Sequence, residues 1–125
     1  MNRYVMIAIG AALGANGRYL IGVWFSQRFG TEFPWWTLFV NVVGSFLLGF
    51  LLTMTTEQLH ISPEMRLLFA VGFMGSFTTF SSFSVESMTL FQNGQNWSAI
   101  FNILLNNGAG LLCALLGIQL ARFVR

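Results

Sequence analysis

Charge is scarce in this sequence, and lysine and aspartate are missing from it altogether. Only 8% of the 125 residues are charged, and the six cationic residues are all arginines. So little charge, with 55% of the residues hydrophobic, excludes an ordinary soluble domain of this length. The net charge of +2 gives no indication of nucleic-acid binding, because most of it lies at the ends of hydrophobic segments. We therefore expect an integral membrane protein.

Residue types that carry catalysis are equally sparse. One cysteine, one histidine and four scattered carboxylates form no base–nucleophile pair and no metal-ligand spacing, and there is no phosphate-binding glycine loop. The single cysteine, Cys113, excludes a disulfide framework and is most simply a small core residue. We expect a protein that is not an enzyme.

Long hydrophobic runs are what the sequence does contain. Four segments reach the roughly 20 apolar residues that cross a bilayer, namely 4–25, 35–54, 67–91 and 97–121. The first lacks the cleavage site of a signal peptide, so we interpret it as a retained span. The connections are short, which predicts an all-α fold with one four-helix membrane domain over residues 1–125.

The arginines are distributed unequally between the two sides that such spans define. With an even number of spans, both termini share one side with Arg3, Arg66, Arg122 and Arg125, and only Arg28 lies opposite. Because cytoplasmic loops are enriched in arginine and lysine, this bias favours cytoplasmic termini and a single orientation.

The third segment contains an unusual polar run, Gly-Ser-Phe-Thr-Thr-Phe-Ser-Ser-Phe-Ser-Val-Glu, from Gly75 to Glu86. Hydroxyl groups in hydrocarbon are costly unless protein or water satisfies them, so this run is expected to line a polar path. Phe77, Phe80 and Phe83 recur every third residue through it. Glu86 fits two interpretations, a structural acceptor for hydroxyls or arginine and a proton-coupling carboxylate.

The first segment combines close-packing glycines with a buried charge. Gly10 and Gly14 have the small-xxx-small spacing that lets another helix approach closely. Arg18 lies well inside the same apolar run. It either snorkels toward the side of Arg28, or serves as a positive charge at the mouth of an anion route or on the carbonyls of a broken helix.

The second and fourth segments each carry a polar stripe with a four-residue spacing. The stripes are Thr37, Asn41, Ser45, Gly49, Thr53 and Ser98, Asn102, Asn106, Gly110, Ala114. Small residues and amides at this spacing are typical of tightly packed membrane helices. The three asparagines, however, bring NH2 donors that must meet one another or a ligand.

Transport is the function that these features favour, in two forms. A proton-coupled exporter of the four-helix multidrug type is one, although such proteins have an acid in the first span where this chain has Arg18. An anion conduit is the other, in which hydroxyls, amides and aromatic edges replace the hydration of a small anion. A purely structural membrane subunit would leave the donor-rich stripes without a role.

Three motifs carry a resemblance to a known family. They are Gly-Ala-Asn-Gly-Arg-Tyr (14–19), Thr-Leu-Phe-Val-Asn-Val-Val-Gly-Ser-Phe-Leu-Leu-Gly (37–49) and Gly-Phe-Met-Gly-Ser-Phe-Thr-Thr-Phe-Ser-Ser-Phe-Ser-Val-Glu (72–86). With these motifs the chain resembles the Fluc (CrcB-type) fluoride channels along all four segments. The resemblance implies an antiparallel, dual-topology homodimer whose third helix is broken in mid-membrane. It also implies passive export of cytoplasmic fluoride across the bacterial inner membrane, relieving fluoride toxicity.

The resemblance also assigns roles to individual residues. Phe80 and Phe83 match the phenylalanines whose edges face fluoride, and Asn41 matches the pore asparagine that donates to it. Gly75 and Thr78 match the helix-break positions whose backbone carbonyls hold a central structural sodium ion. Further positions of the pore track are Thr79, Ser81, Glu86, Arg18 and Asn106. Asn106 and Gly110 stand where relatives commonly have serine, so Asn106 puts an amide in place of a hydroxyl and Gly110 lacks the side chain.

Overall fold

The structure is a computed structural model that describes residues 2–124, all of whose regular elements are helical. The helices are α1 (Arg3–Phe29), α2 (Trp35–Gln58), α3 (residues 63–77), α4 (Phe80–Gln92) and α5 (Asn96–Phe123). Helices α3 and α4 together form one hydrophobic stretch, Pro63–Gln92, so four stretches are long and apolar enough to cross a membrane. The prediction of an all-α, multi-pass membrane protein is confirmed to this extent.

Helix α3 extends beyond its predicted span because its start is capped by residues that are polar in sequence. The Ser62 hydroxyl accepts a hydrogen bond from the Met65 N–H at 3.2 Å, and Pro63 takes the first helical position. Helix α3 therefore begins four residues earlier than the hydropathy alone predicts. Helix α2 also ends later than predicted, because it continues through a π-helical turn, Met54–Gln58.

Two extended residues separate α3 from α4. Thr78 has φ −87° and ψ 158°, and Thr79 has φ −149° and ψ 115°. The hydroxyl of Thr79 accepts the N–H of Ser82 at 3.2 Å, which makes Thr79 the N-cap of α4. The polar run of the third segment thus contains a helix interruption followed at once by a new helix start.

Glycines bring the backbones of α1 and α3 into contact. A methyl group at Gly10 would overlap the carbonyl of Leu68, and one at Gly14 would overlap the carbonyl of Phe73. In return, a methyl group at Gly72 would lie 2.6 Å from the Ile7 carbonyl oxygen. The close approach predicted from Gly10 and Gly14 is confirmed. We call this contact of Gly10, Gly14 and Gly72 the glycine seam.

Helices α2 and α5 form the other close pair. A methyl group at Gly49 would lie 2.6 Å from the Ala114 carbonyl oxygen, and one at Gly117 would overlap the Phe46 carbonyl. The two polar stripes predicted from sequence therefore face each other. Between the two pairs of helices lies a small apolar core of Val40, Met74 and Phe77.

Four arginines, Arg3, Arg28, Arg66 and Arg122, lie near helix ends, as their positions in sequence predict. Arg122 forms a 3.0 Å salt bridge to Glu57, and Arg66 donates to the Thr56 hydroxyl at 3.2 Å. Arg3 and Arg66 line the same surface cavity. Arg28 lies in the last turn of α1, before the loop that leads to α2. Arg125 lies outside the described residues.

Candidate functional site

A cavity of about 230 Å³ opens where α3 gives way to α4. Its walls combine amides, hydroxyls and two aromatic rings, and it is bounded by α2 on one side and α5 on another. The lining residues are Asn41, Gly44, Ser45, Leu48, Thr78, Thr79, Phe80, Phe83, Asn106 and Asn107. Five of the residues assigned to the pore from the resemblance are thus brought together with Thr78, one of the two assigned to sodium.

Asn41 clamps the backbone of Thr79 from both sides. Its Oδ1 accepts the Thr79 N–H at 2.8 Å, and its Nδ2 donates to the Thr79 carbonyl at 3.0 Å. Because a backbone N–H can only donate, these two contacts fix which end of the amide is oxygen. The side chain of α2 thereby supplies the pairing that the interrupted helix lacks.

The asparagines of the two stripes meet one another. Asn41 donates from Nδ2 to Asn106 Oδ1 at 2.9 Å, and Asn106 donates to both the backbone O and the Oδ1 of Asn102, each at 2.9 Å. Asn102 donates to the Ser87 hydroxyl at 3.0 Å. We call this set of Asn41, Asn106, Asn102 and Ser87 the amide chain. The NH2 groups of the three asparagines, which simple packing of small residues does not explain, therefore find acceptors in this chain of bonds.

Phe80 and Phe83 present their rings to each other edge to face. Their centroids are 5.4 Å apart with an interplanar angle of 63°. Phe83 is buried, whereas 76% of Phe80 is exposed on this single chain. One ring is thus fixed by the protomer, and the other projects from its surface.

Glu86 lies outside this cavity. The Thr37 hydroxyl, which is fully buried, donates to the carboxylate and lies 2.6 and 2.8 Å from its two oxygens. The carboxylate lines a separate cavity of about 270 Å³, together with residues 30–34 of the α1–α2 loop. Of the two interpretations of Glu86, a structural acceptor for a hydroxyl is the one that these contacts favour.

Arg18 is likewise remote from the cavity at the interruption. It is half-buried and lines a different cavity, of about 480 Å³, with Tyr19, Gly22 and Trp36. Within residues 2–124 it forms no hydrogen bond or ion pair. It therefore does not bond the carbonyls at the end of α3 in this chain.

Ser81 and Gly75 flank the cavity without lining it. Ser81 is exposed, with its hydroxyl 3.4 Å from that of Thr79. Gly75 is exposed near the end of α3. In an uninterrupted helix its carbonyl would accept the Thr79 N–H, but that donor bonds to Asn41 instead. The interruption therefore leaves backbone oxygen at Gly75 without its helical donor.

Some cavity residues were not singled out from the sequence as site residues. Ser45 and Asn107 contribute polar groups, and Gly44 allows Thr78 to approach α2, because a methyl group there would overlap the Thr78 side chain. Ser45 belongs to the predicted α2 stripe and Asn107 lies beside the α5 stripe, so the four-residue spacing was the available signal.

Comparison with known proteins identifies the family of the chain. Residues 5–118 match the family described as CrcB-like protein, Camphor Resistance (CrcB). A protein of Sulfurihydrogenibium sp. (strain YO3AOP1), named fluoride-specific ion channel FluC, is 46% identical over 99% of this chain and 100% of its own length. A protein of the same name from Rhizobium meliloti (strain 1021) is 43% identical over 98% of this chain and 98% of its own length. Another, from Hahella chejuensis (strain KCTC 2396), is 46% identical over 96% of this chain and 94% of its own length. These relatives are named as channels rather than enzymes, as the scarcity of catalytic residue types predicts. The resemblance seen in the sequence motifs is confirmed, and the chain belongs to the CrcB family.

Proposed function

We propose that this protein is a passive, fluoride-selective ion channel and that the cavity at the α3–α4 interruption is part of its pore. The observation that carries the proposal is the wall of this cavity, which combines amide and hydroxyl groups with two phenylalanine rings. The full-length similarity to relatives named as fluoride-specific channels supports the same function.

A small anion loses strong hydration on entering a protein, so the pore must supply replacement donors. Hydrogen bonds to a charged partner contribute about 1.5 to 3 kcal/mol each, so several must act in sequence. The edges of Phe80 and Phe83 add polarised C–H groups, since an aromatic ring is positive at its edge and negative on its face. This combination suits a compact anion better than a large apolar drug.

Asn41 can donate to the ion without losing its grip on Thr79. Its Oδ1 holds the Thr79 N–H at 2.8 Å, while one hydrogen of Nδ2 points to Asn106 Oδ1 at 2.9 Å. Fluoride in the cavity can share that hydrogen with Asn106 as a second acceptor, which leaves the bond to Asn106 in place. Asn106, Thr79 and Ser81 are then neighbouring polar groups of the path, whereas Glu86 and Arg18 lie outside it in separate cavities.

A second copy in the opposite orientation completes the pore in this proposal. On the single chain the cavity is open and 76% of Phe80 is exposed, so one protomer alone does not enclose an ion. The interruption lies midway along the stretch Pro63–Gln92, so in an antiparallel homodimer both copies would have it near the middle of the membrane. The arginine bias toward one end opposes equal insertion in both orientations, so labelling of single cysteines from each side of the membrane is the appropriate test.

A structural sodium ion at the centre of the dimer fits the exposed end of α3. Sodium is a hard cation that prefers oxygen ligands, and the carbonyls of Gly75 and Thr78 would hold it. The Gly75 carbonyl lacks its helical donor, because the Thr79 N–H bonds to Asn41 instead, so this oxygen is available as a ligand. We expect that replacing sodium with a larger cation during assembly lowers the thermal stability of the dimer. Unchanged stability in both salts would argue against this site.

The proposed location is the bacterial inner membrane, where such a channel needs no pump. Hydrogen fluoride crosses lipid as a neutral weak acid and releases fluoride in the less acidic cytoplasm. The inside-negative potential then favours exit of the anion by about 2.3 kcal/mol per charge for each 100 mV. Passive export through a channel would therefore relieve fluoride toxicity.

The proposal is tested by fluoride efflux from liposomes that contain the purified protein. With a potassium gradient, valinomycin should start rapid fluoride loss, and omitting valinomycin should prevent it, because an electrogenic channel needs a compensating current. Chloride efflux under the same conditions should stay at the level of empty liposomes. Fluoride retention by the protein-containing liposomes, or transport of drug cations instead, would contradict the proposal and return the exporter and the structural subunit as the alternatives.

A further inference from the structure

The amide chain runs in one direction from the start of α4 to its second turn. The Thr79 N–H donates to Asn41, Asn41 to Asn106, Asn106 to Asn102 and Asn102 to Ser87. The Ser87 hydroxyl then donates to the Phe83 carbonyl at 2.8 Å. Each side chain accepts from one neighbour and donates to the next, an arrangement in which the bonds polarise one another.

The two ends of this chain are backbone groups on either side of Phe80. Thr79 precedes Phe80 as the N-cap of α4, and Phe83 carries the second ring at the cavity. Side chains of α2 and α5 therefore connect both ends of the turn that presents the two rings. Rotation of this turn would break bonds at Thr79 or along the chain.

Asn102 and Ser87 belong to this chain but not to the cavity wall. Asn102 is fully buried and Ser87 is 1% exposed, and neither lines the cavity. They touch Asn106 and the Phe83 carbonyl instead, so they are placed to act on the site without contacting an ion.

We propose that Asn102 and Ser87 are positioning residues that hold Asn41 and the first turn of α4 in the geometry required for fluoride selectivity. This inference rests on the proposed function. Removing a link leaves a buried polar group unpaired and frees the turn to rotate, because the neighbouring amide must find another partner. The consequence is a pore whose donors and ring edges are displaced although every lining residue is still present.

The test uses Asn102→Leu and Ser87→Ala in the purified full-length protein, in the liposome assay with fluoride and with chloride. We expect fluoride efflux per assembled channel to fall about tenfold for Asn102→Leu and about threefold for Ser87→Ala, as loss of one buried hydrogen bond implies. The ratio of fluoride to chloride flux should fall as well. A residue that merely supports folding would reduce the amount of active protein without changing that ratio.

Ser84→Ala is the matched control. The Ser84 hydroxyl also bonds to the carbonyl four residues earlier, that of Phe80 at 2.9 Å, but it has no link to α5 and does not line the cavity. We expect its flux and selectivity to stay within about twofold of the unaltered protein, since only a bond within one helix is lost.

The outcomes separate this inference from the proposed function. If the unaltered protein conducts no fluoride, the proposed function fails and the inference falls with it. If the unaltered protein conducts but both variants keep its flux and its fluoride-to-chloride ratio, only the inference fails. Should Asn102→Leu not assemble, Ser87→Ala decides, because it removes one hydroxyl and leaves no bulky group behind.

Discussion

The glycine seam and the amide chain are both close contacts between helices, but they use opposite chemistry. In the seam, Gly10 and Gly14 bring α1 against the backbone of α3, and within the described residues no side-chain hydrogen bond joins these two helices. In the amide chain, Asn41 and Asn106 join α2 to α5 through directed bonds. The seam depends on shape alone, whereas the amide chain also fixes orientation. Their difference indicates that one contact assembles the protomer and the other sets up the site.

The largest effect is expected from Gly14→Ala, which breaks the seam. The new methyl group would overlap the Phe73 carbonyl, and two helix backbones would have to separate to accommodate it. We expect loss of most folded protein, measured as the recovery of a single species on size exclusion in detergent.

Gly22→Ala provides the control on the same helix. A methyl group there would lie 3.5 Å from the Trp36 ring, an ordinary contact, and alanine is the better helix former. Normal recovery of both variants would mean that the α1–α3 contact is looser than described.

The next largest effect is expected from Asn41→Asp, which alters the amide chain. The carboxylate keeps the acceptor for the Thr79 N–H but loses both donors and places a negative charge on the wall of an anion path. We expect fluoride efflux to fall more than about 100-fold while the protein still assembles. If Asn41→Asp instead prevents assembly, and the few channels that form conduct normally, then the amide chain serves assembly and not the site.

A smaller effect is expected from Phe80→Ile and Phe83→Ile. Both remove a ring edge from the cavity, so fluoride flux should fall on the order of tenfold in each, without loss of the proposed dimer. Phe83→Ile should also lower thermal stability more than Phe80→Ile does, because Phe83 is buried and 76% of Phe80 is exposed on the protomer. Normal fluoride conduction in both variants would remove the aromatic-edge mechanism.

The smallest effect is expected from Glu57→Gln, at a residue that belongs to neither contact. It removes the salt bridge to Arg122, in which the Glu57 side chain is 37% exposed and the Arg122 side chain 49% exposed. Solvent screens such a pair, so the free energy of unfolding should change by less than about 1 kcal/mol and fluoride flux should not change. A marked change in flux would mean that this end of the bundle takes part in conduction.

Sequence reasoning predicted what depends on local pattern. Hydropathy located the four membrane stretches, and the glycine spacing of Gly10 and Gly14 predicted the close approach in α1. The motif around Thr79 and Phe83 predicted the family. Sequence reasoning could not predict which asparagine side chains bond to each other, because the pairing of Asn41 with Asn106 depends on the relative rotation and height of α2 and α5.

The same limit applies to the charged residues. Arg18 and Glu86 were assigned to the pore track, yet they line two cavities other than the one at Asn41 and Phe83. Their positions along the chain give depth, but the face of the helix on which each one lies follows from packing. Glu86 meets the Thr37 hydroxyl for this reason, a contact across 49 residues of sequence.

The interruption at Thr78 and Thr79 has an electrostatic consequence as well as a geometric one. A helix carries partial negative charge at its carboxyl end and partial positive charge at its amino end. Breaking one membrane helix here places the carboxyl end of α3 and the amino end of α4 next to each other, separated by two residues. A single pair of extended residues thus creates neighbouring regions of opposite polarity without any ionised side chain.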